Sequence, residues 1–169
     1  MVNKRLNAPQ RPEEVLRINP ITPSYLVRWG FEEFQTEDES GFYYWERQFD
    51  YKPELEEIKA VINEQHNRDC DYEIEHGFVF EGNKVWLTTE NQMNYKSTWD
   101  LAYQTDGANL PIRFKFGTNE NPVYRKFTEV DDLKAFYTKV QKHINGTLDK
   151  YWDIKDFMEW DIYDGMLNV

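Results

Sequence analysis

The chain has 169 residues, of which 17% are aromatic and 30% charged, and 31 acidic against 20 basic side chains give a net charge of −11. That balance argues against a general nucleic-acid binder, whose phosphate contacts need a basic footprint; it disfavours docking on anionic lipid and leaves a basic partner surface open. Cys70 is the single cysteine, so no intrachain disulfide can form and no cysteine cluster can hold a metal, and no apolar run nears the roughly 20 residues that span a bilayer.

Residues 1–24 differ in composition from the rest. Pro9, Pro12, Pro20 and Pro23 punctuate a segment made mildly basic by Lys4, Arg5, Arg11 and Arg17. Proline fixes φ and removes a donor, so an extended N-terminal arm is expected rather than a packed element. A short helical turn at residues 12–17 would place Pro12 at a first helical position. The arm is either a loose terminus or a segment that orders on a partner, with Ile18, Ile21, Tyr25 and Leu26 as its anchors. Its first residues lack the apolar stretch of a signal peptide, which implies a protein made in a cytoplasm.

A single domain is expected over residues 25–169. Residues 25–34 and 42–51 are aromatic and β-branched runs around a polar turn at 36–41, the pattern of a β-hairpin. Trp29, Phe31, Tyr43 and Trp45 share one parity of the alternation, Phe42 and Tyr44 the other, so both faces call for a cover. Pro53 then opens a helix with early acids Glu54, Glu56 and Glu57. Leu55, Ile58, Ile62, His66, Cys70 and Ile74 line one face of it, and Gly77 is its natural stop. Phe78-Val79-Phe80 and Val85-Trp86-Leu87 bracket a tight turn at 81–84.

Thr88 or Thr89 caps a second helix, and Thr89 with Gln92 has capping-box spacing. That helix is expected to reach about Gln104, with Met93, Tyr95, Trp99, Ala102 and Tyr103 spread over more than one covered face. Ile112 to Phe116 alternates apolar and basic residues, the turn 117–122 follows, and 123–127 returns as the partner strand. Thr128 with Asp131 caps a third helix, on which Leu133, Phe136, Tyr137, Val140, Ile144 and Leu148 keep helical spacing. Hairpin and helix thus alternate as ββ-α-ββ-α-ββ-α, an α+β design of antiparallel sheet with helices packed over it. The tail from Lys150 mixes aromatics with aspartates and folds back aromatic side first.

Residues that carry chemistry are sparse. His66, His76 and His143 have no ligand spacing. The acids Asp149, Asp153, Asp156, Glu159, Asp161 and Asp164 lack the loop pattern of a calcium site. Glu73 and Glu75 are not brought to a bond-cleaving separation by anything in the sequence. No phosphate loop or nucleophile elbow is present, so no catalytic, metal or cofactor residues are assigned. Asn91, Gln92, Asn94 and Lys96 cluster at a helix start, where capping accounts for them. Trp29, Trp45, Trp152 and Trp160 are the tryptophans available to stack on a sugar or on another protein, or else to fill a core or subunit interface; Trp86 and Trp99 are expected in the core.

Residues 52–163 carry the run Lys52-Pro53-x-Leu55-x-Glu57-Ile58-Lys59, Gly77-Phe78-Val79 and Val85-Trp86-Leu87-x-Thr89-Glu90-Asn91-Gln92. It continues with Asn94-Tyr95-Lys96, Asp100-Leu101-Ala102, Asn109-Leu110-Pro111, Phe114-Lys115-Phe116-Gly117, Pro122-Val123-Tyr124, Phe136-Tyr137-Thr138 and Trp160. This region resembles a domain family of tailed phages and prophages of gut bacteria, associated with tail and fibre genes and without an assigned function. The resemblance implies a virion structural protein of the tail, fibre or collar, made in the bacterial host cytoplasm and carried in the particle. Its partners would be other phage structural proteins, in homo- or hetero-oligomers, with neither nucleic acid nor membrane. The aromatic hairpin at 25–51 and the arm would make the attachment, through Ile18, Ile21, Tyr25, Leu26, Trp29, Phe31, Tyr43 and Trp45. A receptor- or glycan-binding module of a fibre, reading a host glycan, and a fibre assembly chaperone are the alternatives.

Overall fold

The computed structural model describes residues 2–19 and 21–167. Its elements run β1 (Lys4–Ala8), β2 (Val15–Asn19), β3 (Ser24–Gln35), β4 (Ser40–Phe49), α1 (Leu55–His76), β5 (Val79–Phe80), β6 (Asn83–Lys84), α2 (Thr89–Gln104), β7 (Ile112–Gly117), β8 (Pro122–Phe127), α3 (Val130–Asp156) and α4 (Trp160–Leu167). The expected α+β order of hairpins and helices is therefore present, all strand pairs being antiparallel. The chain divides into two compact units, Met1–His66 with Phe157–Val169 and Asn67–Asp156.

The first unit is built on a sheet of order β1-β4-β3-β2. The arm is extended, as expected, but it is laddered into this sheet: β1 pairs with β4 from Lys4↔Glu46 to Ala8↔Phe42, and β2 pairs with β3 from Val15↔Val27. Pro9, Pro12 and Pro23 lie between strands, where no ladder donor is required; Pro20 lies outside the described residues. Residues 15–17 are strand, not the expected helical turn. The register of β3 on β4 shifts between Trp29 and Glu32, at Gly30 with φ +64°. This bulge inverts the alternation, so Phe31 leaves the Trp29 parity and stacks on Tyr44 at 5.8 Å instead.

Val15, Tyr25, Val27, Trp29 and Phe49 from the strands meet Ile58 and Ile62 of α1 and Tyr163 and Leu167 of α4 in one core. The Tyr163 hydroxyl donates to the Arg28 carbonyl at 3.0 Å, which satisfies its polar tip inside that core. At the start of α1 the Glu57 carboxylate accepts from the Glu54 N–H at 2.9 Å and the Tyr51 hydroxyl at 2.7 Å. These two donors hold its pKa below the ordinary carboxylate value.

In the second unit, the β5–β6 and β7–β8 hairpins, α2 and α3 enclose an aromatic core of Phe78, Phe80, Val85, Leu87, Tyr95, Ala102, Phe116, Phe127, Leu133, Phe136 and Val140. Thr88 is the N-cap of α2, its hydroxyl accepting from the Asn91 N–H, while Gln92 donates to the Leu87 carbonyl rather than closing a capping box on Thr89. α2 is not covered all round. Tyr95 and Ala102 are buried, whereas Met93, Leu101 and Tyr103 are exposed. At the end of β7, Gly117 has φ +79°, and a Cβ there would stand 2.3 Å from the Asn121 carbonyl oxygen. Only glycine fits that turn.

Candidate functional site

The expected attachment residues separate into two groups. Tyr25 and Trp29 are core residues of the first unit, and the Trp29 indole N–H is buried with no hydrogen-bond partner among the described residues. They are not surface anchors, because one strand parity of β3 faces α1 and α4 and is buried by them. Leu26 and Phe31 are half-buried, Phe31 beneath the Arg11 guanidinium at 4.6 Å. Trp45 is half-buried and Tyr43 exposed; the Arg5 guanidinium lies 5.6 and 5.7 Å from their rings while pairing with Glu32 at 2.6 Å. Tyr43 also stacks on Phe34 at 4.4 Å.

Ile18 and Ile21 are exposed to 44% and 90%, and Leu16, which the sequence did not single out, to 37%. Leu16 and Ile18 lie on β2 and Ile21 just after it; β2 is an edge strand that pairs with β3 alone among the described residues. Asn19 Oδ1 accepts from the Ile21 and Thr22 N–H groups at 2.9 and 3.3 Å. A strand at the edge of a sheet is open to pairing with a further strand, here beside apolar side chains.

A concave surface lies in the second unit. Trp86, expected in the core, is 40% exposed. Val85 and Leu87 are buried on either side of it, so this extended stretch alternates and turns the indole outward. The indole N–H donates to the Gly117 carbonyl at 2.9 Å, and Asn91 Nδ2 donates to the Trp86 carbonyl at 2.9 Å. Together with Thr88, Lys115, Phe116 and Asn119 these residues line a groove of about 400 Å³. His76 stands 4.8 Å from the indole at a steep angle and stacks on Tyr72 at 4.2 Å. The Lys115 ammonium donates to Asn119 Oδ1 at 3.2 Å.

The other sequence candidates have structural partners. Asn91 and Gln92 satisfy backbone carbonyls, and Lys96 pairs with Asp100 at 2.6 Å. Glu73 accepts from Lys150 at 2.6 Å and from the Tyr151 hydroxyl at 3.2 Å, while the His143 ring nitrogen meets the Glu73 carbonyl at 3.1 Å. Trp152 is exposed, Trp160 is half-buried near the Lys59 ammonium, and Trp99 is half-buried against Tyr137. Among the described residues, no three His, Cys, Asp or Glu side chains gather to hold a metal, and no helix is long and apolar enough to cross a membrane.

Fold and surfaces together define an α+β protein with two aromatic cores, an exposed apolar edge strand and a groove walled by tryptophan. The chain belongs to the family described as Domain of unknown function (DUF4376), whose sequence model matches residues 57–165. That match takes in the groove and leaves the sheet β1–β4 outside. No curated protein and no solved structure matches the chain.

Proposed function

We propose that this chain is a non-enzymatic structural protein of a bacteriophage particle, associated with tail, fibre or collar, which attaches to a neighbouring virion protein through β2. The resemblance of residues 52–163 to a phage and prophage family supports the setting. One observation carries the attachment: among the described residues β2 is the last strand of its sheet, with Leu16 and Ile18 exposed on it and Ile21 exposed just after it. An extended segment of the neighbour adds to that edge, its main chain supplying affinity and its alternate side chains covering the three apolar residues. The sheet that carries this edge lies outside the family match, which suits a part that differs with the neighbour it meets.

Mass spectrometry of purified particles, with copy number set against the capsid protein, tests this reading. A fixed small-integer multiple is expected for the wild type. The double variant Ile18→Glu and Ile21→Glu is expected to keep its circular dichroism spectrum and drop out of the particle. Wild-type protein that is expressed during infection yet absent from clean particles would overturn the structural role and favour an assembly chaperone. A double variant incorporated at the wild-type level would overturn β2 as the contact.

A further inference from the structure

The Trp86 groove is separate from β2 in the sequence and in its chemistry. Its wall is preformed. The indole is tied to Gly117, whose own backbone position admits only glycine, and the Trp86 carbonyl is tied to Asn91. A rigid site spends little ordering entropy on its ligand. Its volume of about 400 Å³ falls low in the range of about 300–1,000 Å³ typical of small-ligand clefts.

Three features of the lining narrow the ligand class. An exposed indole attracts positively polarised C–H groups to its electron-rich face, and the flat side of a pyranose presents such a row. Around the indole stand neutral groups that both donate and accept. The Thr88 hydroxyl accepts from the Asn91 N–H at 3.2 Å and keeps its proton; Asn91 Oδ1 is left by the bond its Nδ2 makes; Asn119 Nδ2 is left by the bond its Oδ1 accepts. Sugar hydroxyls, which donate and accept in turn, match that set. Finally, no acidic residue is among those lining the groove, while Lys115 supplies a cation whose ammonium donates to a neutral amide, that of Asn119. On a chain of net charge −11 that local sign is unusual, and it selects a single negative charge on the ligand.

We infer that the groove between Trp86, Asn91, Lys115 and Asn119 binds a carboxylate-bearing saccharide, with a pyranose face on the indole and the carboxylate at Lys115. The inference does not depend on attachment through β2, and its test is read on the isolated full chain, so the two can fail independently.

The test is an NMR titration that follows the Trp86 indole N–H, assigned by its loss in Trp86→Phe. The probes are a disaccharide of glucuronic acid linked to glucose, the neutral disaccharide cellobiose, and inorganic phosphate. The acidic disaccharide is expected to shift the Trp86 resonance and to bind about three- to fivefold more tightly than cellobiose, the gain of one solvent-exposed ion pair. Lys115→Met is expected to equalise the two sugars, and Asn119→Ala to weaken both. Lys115 is exposed, so Lys115→Met keeps the test decisive even where a variant at Trp86 perturbs the fold. No shift with either sugar, equal wild-type affinity for the two, a preference that survives Lys115→Met, or phosphate alone binding as tightly as the acidic sugar would each overturn the inference.

Discussion

Phe136 lies within ring contact of Phe78, Phe80, Tyr95, Phe114, Phe116 and Phe127, with centroid separations from 5.0 to 6.3 Å. Tilted, edge-on and stacked pairs of this kind add to the area the rings bury, and the side chain is fully buried. Phe136→Ala is therefore expected to cost about 3–5 kcal/mol through lost transfer energy and a residual cavity. Phe157, at 81% exposure, is the control, and its replacement by Ala should stay within about 0.5 kcal/mol. Urea unfolding of both variants against wild type measures the difference, and equal midpoints for the two variants would refute the placement of Phe136. The sequence shows Phe136 as a core residue because helical spacing marks one face. It is less informative for the tryptophans. Trp29 and Trp86 both sit in apolar stretches, yet Trp29 is interior and Trp86 walls a groove. Which strand parity is buried depends on what packs against it, here α1 and α4 in the first unit. The alternation Val85-Trp86-Leu87 did contain the signal that Trp86 faces away from its neighbours.

At the scale of elements, the legible features are those set by local chemistry. The early acids of α1, the Thr88 cap of α2 and the turn between β7 and β8 all follow from residues within a few positions. The arm was not legible as sheet, because the partners of β1 lie more than thirty residues away, as in Lys4↔Glu46 and Ala8↔Phe42. Local propensity does not report such pairings, and five-residue strands bounded by proline look like coil. The bulge at Gly30 was likewise hidden, since one extra residue inverts the face of everything beyond it. Gly117 is an element-level constraint that can be tested. At φ +79°, with the Asn121 oxygen 2.3 Å from where an added Cβ would stand, Gly117→Ala is expected to destabilise by about 1–3 kcal/mol. Because the Gly117 carbonyl holds the Trp86 indole, the same variant should speed hydrogen exchange at that indole. Wild-type exchange in a variant with lowered Tm would separate the turn from the groove and contradict their coupling.

On the scale of the whole molecule, the order of hairpins and helices follows from periodicity, while the division into two units does not. α1 presents one continuous apolar face, yet residues 55–66 belong to the first unit and 67–76 to the second. Both units bury tyrosine in their cores, Tyr25 and Tyr163 in the first and Tyr95 in the second. Desolvation disfavours the phenolate, so burial pushes Tyr95 from its ordinary 10.0 up to about 12 and raises Tyr163 as well. Tyr151 is raised too, first by desolvation and then by the neighbouring Glu73 carboxylate. The consequence has a definite sign. Below an unfolded-state pKa of about 10 both states hold these protons, and the tyrosines leave stability unaffected. Above it the unfolded chain releases them while the native chain keeps them, so the unfolded state binds fewer protons and stability falls as pH rises. Urea midpoints are thus expected to be flat from neutrality to about pH 9, to begin falling there because burial also raises the Cys70 thiol from its ordinary 9.0, and to fall further between about 10 and about 12, the window of Tyr95. Tyr95→Phe removes one ionising group from the unfolded state, so the decline should be shallower than in wild type. Parallel declines for the two proteins would show that Tyr95 ionises alike in both states and that burial does not set its proton affinity.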